Sequence, residues 1–217
     1  MSSFITLEGP EGSGKTTQAE QLAEYLRAQG FDVLLSREPG GPSISEQIRH
    51  VLTSLDNTAM HPRTEFLLFS ASRAQHVHEV IRPHLAEGGL VVCDRFYDAS
   101  LAYQGYGHGL DLDTLLSITA FATGGLKPDL TLLLDLPVEQ GLHRREHDGN
   151  WNRLDAYDLE FHHRVRQGYL AMAAAEPERW VTIGAEQAFD IVQAEIQRAV
   201  EAHLVKKGTK QQGKGLR

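Results

Sequence analysis

Gly9-Pro10-Glu11-Gly12-Ser13-Gly14-Lys15-Thr16 fits G-x-x-x-x-G-K-[ST], the pattern of a loop that surrounds nucleotide phosphates. Its context is the one the pattern needs. Phe4 to Glu8 reads as a strand, and Thr16 to Gln29 reads as a helix with Ala19, Leu22, Ala23 and Leu26 on one face and Gly30 at its end. Glycines at such a junction let successive backbone N–H groups point inward around phosphate oxygens. The helix that follows adds its N-terminal partial positive charge. Lys15 is expected to reach the β- and γ-phosphates, and Thr16 to offer its hydroxyl to Mg²⁺. The ATP-binding segment is taken as Gly9, Pro10, Glu11, Gly12, Ser13, Gly14, Lys15, Thr16 and Thr17. An ordinary glycine-rich turn is the competing reading, and the match at every fixed position argues against it.

Outward from the loop, short β-branched runs alternate with helical patterns. Strands are expected at Asp32 to Ser36, Leu90 to Cys93, Asp129 to Asp135 and Trp180 to Ile183. Helices are expected at about Ile44 to Ser54, with Ile44, Ile48, Val51 and Leu52 inward, and at Leu159 to Ala175 and Gln187 to Leu204. A long helix starts near Arg63, with Pro62 suited to its first turn and Pro83 expected to kink or restart it. This alternation argues an α/β fold, a parallel sheet with helices on both faces. A single domain over residues 1–205 is expected, with a mobile lid at about 141–153.

The 217 residues are 41% apolar and carry a formal net charge of −8. Five basic residues and no acidic ones fall in 206–217, read as a basic disordered tail. The rest holds 16 basic and 29 acidic residues, a net of −13. So acidic a body argues against a nucleic-acid partner. Neither a membrane-spanning apolar run nor a secretory signal is legible. One cysteine, Cys93, fits a reducing cytoplasm and reads as an inert core thiol. His143 and His147 stand at i, i+4, but further zinc ligands are missing, so a structural metal there is not expected.

Asp94-Arg95 ends the third strand. Strand C-termini face the ligand crevice of an open α/β sheet, where an Asp can hold Mg²⁺ and an Arg can fork onto a phosphate. A strand-end salt bridge is the bland alternative. A GTP switch would need an Asn-Lys-x-Asp stretch after a later strand. Asp135 instead runs into Leu136-Pro137-Val138.

Further segments extend the pattern in order: Arg37-Glu38-Pro39-Gly40-Gly41, Phe66-Leu67-Leu68-Phe69-Ser70-Ala71-Ser72-Arg73-Ala74-Gln75-His76, Asp94-Arg95-Phe96, Ala102-Tyr103-Gln104-Gly105 and Pro128-Asp129-Leu130. From about residue 4 to residue 183 the chain resembles the bacterial thymidylate kinases, phosphate-loop nucleoside monophosphate kinases. The resemblance implies a doubly wound five-stranded parallel sheet in the order 2-3-1-4-5. It implies transfer of the ATP γ-phosphate to thymidine monophosphate with Mg²⁺, a step of dTTP synthesis, in a cytoplasmic homodimer joined through helices around 66–80.

It also implies roles. Phe69 would stack on thymine and Arg73, one turn on, would donate to a thymine carbonyl. Arg95 would bind the acceptor phosphate, with Arg37, Glu38, Pro39 and Arg49 nearby. Ser100 and Gln104 would lie at the base edge, and Tyr103 against the sugar where a 2′-hydroxyl would sit. Glu11 would approach the acceptor sugar or its metal, so the metal set is Thr16, Asp94 and Glu11. Some members carry a catalytic arginine inside the phosphate loop. Gly12 stands there in this chain, which passes the role to Arg144, Arg145 or Arg153 in the lid. Ala99, His108, Pro42, Asn152 and Gly184 depart from residues common in the family. A kinase for UMP or a purine monophosphate, and a regulatory nucleotide binder without transfer, remain the alternative readings.

Overall fold

The computed structural model describes residues 2–147, 149 and 151–214. Five strands, β1 Ser3–Glu8, β2 Val33–Arg37, β3 Leu90–Asp94, β4 Leu130–Asp135 and β5 Trp180–Gly184, form one parallel sheet in the order β2-β3-β1-β4-β5. β1 is central, with Ile5 opposite Val92 on one side and Leu130 on the other. Residues near the C-terminal ends of three adjacent strands therefore meet at one edge.

Alternation along the strands sends side chains to both faces. Ile5, Leu7, Leu90, Val92, Leu132 and Leu134 pack under α1 Lys15–Ala28 and α9 Phe189–Lys214. Phe4, Val91 and Cys93 pack under α3 Pro62–His76 and α6 Leu112–Thr123, and Leu133 and Trp180 under α8 Leu159–Ala175. Completing the helices are α2 Ser43–Thr53, α4 Arg82–Ala86, the short α5 Tyr97–Ser100 and α7 Val138–His147. No helix among the described residues is long and apolar enough to cross a membrane.

Two expectations are corrected. Ile44 and Val51 are about half exposed, whereas Leu52 is buried; α2 docks on α3 through the Ser45–Leu52 stripe, with Ser45 Oγ donating to Ser72 O. The helix α9 continues past Lys206 to Lys214, where the sequence suggested disorder from 206. Lys206 and Lys207 ion-pair with Glu178 and Asp129, which ties the first tail turn to the body; residues 215–217 lie outside those described. The segment Tyr97–Gly107 is helical with a wide π turn at Leu101–Gly107. Its glycines permit close packing: a Cβ on Gly107 would sit 2.6 Å from the Phe161 ring. Pro83 follows another wide turn, Val77–Ile81, as expected of a residue with no N–H to continue the ladder.

Candidate active site

The phosphate loop leaves β1 and enters α1 through Gly9, Gly12 and Gly14, whose φ values are 145°, 70° and 85°. L-residues rarely adopt these angles. Gly14 caps α1 without a side-chain hydrogen bond, so the first-turn amides are left for a ligand. Lys15 Nζ crosses the loop to Pro10 O at 2.7 Å and Ser13 Oγ at 3.1 Å. Burial, reinforced by Arg95, pulls its pKa down to about 8, against Glu11, Asp94 and Glu8.

Beside it, Thr16 Oγ1 donates to Asp94 Oδ2 at 2.5 Å. The other oxygen, Asp94 Oδ1, is buried with no partner among the described residues. Arg95 follows with φ 68°. Its Nη1 donates to Gly9 O and the Tyr169 hydroxyl, and its Nη2 to Glu11 Oε1 at 2.9 Å. The Tyr103 hydroxyl donates to the same Glu11 oxygen at 2.7 Å. Burial would raise the Glu11 pKa, but Arg95, Lys15 and Tyr103 outweigh it and hold it at about 2. Glu8 has the opposite fate: burial and Asp98 push it up to about 8, against Arg95, the Phe96 amide and Tyr169.

Across the cavity, Arg73 is 1% exposed. Its Nε donates to Glu38 Oε2 at 2.7 Å and its Nη2 to Ser100 Oγ and Phe96 O. His76 Nδ1 meets the second Glu38 oxygen at 3.0 Å, so Glu38 spans both groups. Arg73 Nη1 and Gln104 Oε1 are buried without partners among the described residues. Gln104 Nε2 donates to Glu65 Oε1 at 2.6 Å. Arg49 Nη1 donates to Pro39 O, and Arg37 pairs with Glu46.

The lid side is lighter. A Cβ on Gly141 would stand 2.1 Å from Glu11 O, and one on Gly12 would stand 2.1 Å from Gly141 O. Helix α7 therefore lies backbone to backbone on the phosphate loop, and a side chain at position 12 would displace it. Arg144 Nη1 reaches Gly12 O at 3.4 Å and Ala185 O at 3.3 Å. Arg145 forks onto Asp155 at 3.1 and 2.8 Å, and Asn152 donates to the same carboxylate. Asn152 thus orients a lid ion pair without supplying its charge.

Many of these groups line one cavity of about 1120 Å³. Facing it are Glu11, Gly12, Gly14, Lys15, Thr16, Thr17, Asp94 and Arg95. Opposite stand Arg37, Glu38, Pro39, Arg49, Phe69, Arg73, Ser100, Tyr103 and Gln104, and Arg144 and Arg145 close one side. Gly9, Pro10 and Ser13 of the phosphate loop are not among the cavity's lining residues. Arg153 does not face the cavity. It is 3% exposed, ion-paired with Glu65 at 2.6 Å and hydrogen-bonded to Leu52 O and the Tyr157 hydroxyl. A charge so committed would have to break a buried pair to reach a phosphate. The sequence reading missed Thr53, Trp151 and Leu154 on the cavity wall. A lone Trp in a polar loop was the one available signal among them.

Comparison with known proteins agrees over most of the chain. The thymidylate kinase family model matches residues 7–196. The thymidylate kinase of Roseiflexus castenholzii is 52% identical, covering 94% of this chain and 95% of that protein. That of Deinococcus radiodurans is 53% identical over 91% and 95%. The crystal structure of the Ehrlichia chaffeensis thymidylate kinase superposes with TM-score 0.77 at 33% identity, covering 92% of this chain and 98% of that one.

Proposed function

The chain belongs to the thymidylate kinase family, and from that premise we propose how its residues divide the transfer of the ATP γ-phosphate to thymidine monophosphate. The carrying observation is the pairing of a phosphate loop with an opposed pocket in which Arg73 keeps one buried, unpartnered guanidinium nitrogen beside Phe69. Phe69 supplies a face for the thymine ring, and Arg73 Nη1 a donor to its carbonyl. Ser100 and Gln104 line the base edge, and Gln104 Oε1 offers an acceptor.

Arg95 receives the acceptor phosphate, with Arg37, Glu38, Pro39 and Arg49 around it. Tyr103, held to Glu11, fills the place of a ribose 2′-hydroxyl. The acceptor phosphate is itself the nucleophile and is anionic near neutral pH, so no general base is required. Lys15 neutralises the donor phosphates while Arg144 and Arg145 close over the moving group. Rate enhancement is then a matter of positioning and charge.

The residues fit Mg²⁺. Asp94 Oδ1 is buried without a partner among the described residues, the Thr16 hydroxyl is bonded to Asp94 Oδ2, and Glu11 is held ionised on the acceptor side. Among the described residues no cluster of three or more His, Cys, Asp or Glu could hold a metal by itself. A Mg²⁺ held by so few protein groups keeps waters and phosphate oxygens as ligands, and it would neutralise charge on the donor phosphates.

We place the protein in the cytoplasm, as one kinase domain with its lid at about 141–153. We further propose a homodimer. Leu67, Leu116 and Phe121 are exposed on α3 and α6, with Ile44 and Val51 on α2. Sedimentation of Phe121→Asp tests this: the parent runs as a dimer and the variant as a monomer, and a monomeric parent refutes it.

The reaction is tested by ADP release from Mg-ATP with dTMP, dUMP, UMP, dCMP, AMP and GMP offered separately. Turnover strongest with dTMP and poor with UMP is expected. Equal use of UMP would overturn the Tyr103 assignment, and no turnover with any acceptor would leave a nucleotide binder.

A further inference from the structure

Arg95 is the single non-glycine residue with positive φ among those described. A left-handed backbone costs about 1 kcal/mol or more, so surrounding groups must hold it. Its own N–H donates to Leu7 O at 3.0 Å. The next N–H, of Phe96, donates to Glu8 Oε1 at 2.7 Å. The other Glu8 oxygen accepts from the Tyr169 hydroxyl at 3.0 Å, and that hydroxyl oxygen accepts from Arg95 Nη1 at 3.0 Å. One carboxyl group thus pins Arg95 twice, at the peptide that follows it and, through a phenol, at its guanidinium.

Glu8 and Tyr169 are both 0% exposed, and neither faces the cavity. Packing alone does not call for them, since a buried carboxyl is costly where an apolar side chain would fill the space. Both Glu8 oxygens are spent on groups that set Arg95. A guanidinium is a rigid planar fork, so holding Nη1 fixes the direction of the rest.

We propose that Glu8 is a positioning residue of the transfer reaction, acting on the acceptor phosphate through Tyr169 and Arg95. This deepens the reading of Arg95 as the acceptor-phosphate ligand and rests on it. Tyr169→Phe removes the bridging hydroxyl and keeps the ring in the core. Glu8→Gln keeps an acceptor for Phe96 N–H but places an amide donor where the Tyr169 hydroxyl needs an acceptor.

The test is steady-state kinetics on the full chain in two backgrounds, parent and Arg95→Ala. In the parent, each variant is expected to lower kcat/KM for dTMP about tenfold, the scale of a hydrogen bond to a charged group. KM for ATP is expected to stay unchanged. In Arg95→Ala the further loss disappears, because a residue that works through Arg95 has nothing left to act on. Unchanged dTMP kinetics in Tyr169→Phe, whatever its Tm, overturns the proposal, as does an equal loss in both backgrounds. Arg95→Ala with unaltered dTMP kinetics would instead sink the reading of Arg95 itself. Should Glu8→Gln fail to fold, the Tyr169→Phe cycle decides alone.

Discussion

The two sides of the cavity hold their arginines differently. On the acceptor side Arg73 is sunk in the core against Glu38, and Glu38 is braced by His76. Behind it Glu65 collects Gln104, Tyr157, Arg153 and His108. On the lid side Arg144 holds two backbone carbonyls at long range, and Arg145 one carboxylate. Buried, mutually satisfied ion pairs set a shape before any ligand arrives. Arg144 and Arg145 instead sit on a helix that touches the phosphate loop through Gly12 and Gly141. On the proposed reading, acceptor recognition rests on buried ion pairs, and stabilisation of the transferred phosphate on arginines of α7.

Replacing the lid arginines gives the largest test of that contrast. Arg145→Ala is expected to lower kcat about a thousandfold while the dTMP dissociation constant stays near the parent value; Tm falls as well, because buried Asp155 loses its cation. Arg144→Ala should lose less, because Arg145 is the one whose charge is felt by Glu11 and Arg95. Stopped-flow and calorimetric measurements separate these quantities. Small, equal losses from both variants would erase the distinction between the two sides.

Arg73→Ala should behave in the opposite way. It leaves Glu38 buried without its cation, a loss of about 3 kcal/mol of stability, and it raises KM for dTMP about thirtyfold with a smaller change in kcat. A variant with an unaltered KM for dTMP and a collapsed kcat would place Arg73 with the α7 arginines instead.

Glu65 sharpens the comparison without touching substrate. Burial would raise its pKa, but the His108 hydrogen bond, the Arg153 charge, Gln104 and Tyr157 hold it at about 2, below the ordinary 4.5. A carboxyl depressed on folding contributes stability above its unfolded pKa and loses it as pH falls toward the folded one. Glu65→Gln should therefore cost about 2 to 3 kcal/mol at pH 7. The gap to the parent should narrow between pH 4.5 and 2, as read by denaturant titration. A gap independent of pH in that window would mean that the charge of Glu65 is not what stabilises the acceptor wall.

How much of this was legible follows from what each feature depends on. The phosphate loop, Asp94-Arg95 and the Phe69–Arg73 pair are local: strand-end position and helical spacing place them, and Lys15, Thr16, Asp94, Arg95, Phe69 and Arg73 line one cavity. The burial of Arg153 was not legible because an arginine in a polar loop looks exposed. Its partner Glu65 is 88 positions away, and no local pattern reports that pairing. Ile44 and Val51 were misread for a related reason. Apolar spacing marks a surface that avoids water without saying whether its own core or a second copy covers it. Helix Val138–His147 went unread because its buried positions are only Val138 and Gly141, so an apolar stripe hardly exists.

By itself the sequence determined the phosphate-loop pattern, the alternation that builds a parallel sheet, and the residue types offered to the proposed base, sugar and phosphate contacts. These follow from backbone freedom, side-chain period and charge, all properties of neighbouring residues. Tertiary structure alone decided which arginines are sunk in buried ion pairs. It also decided that Glu8 reaches Arg95 through Tyr169 and that Gly12 must be small because α7 rests on it. Burial and partner choice are set by segments far apart in the chain, and only the packed sheet brings them within hydrogen-bonding distance.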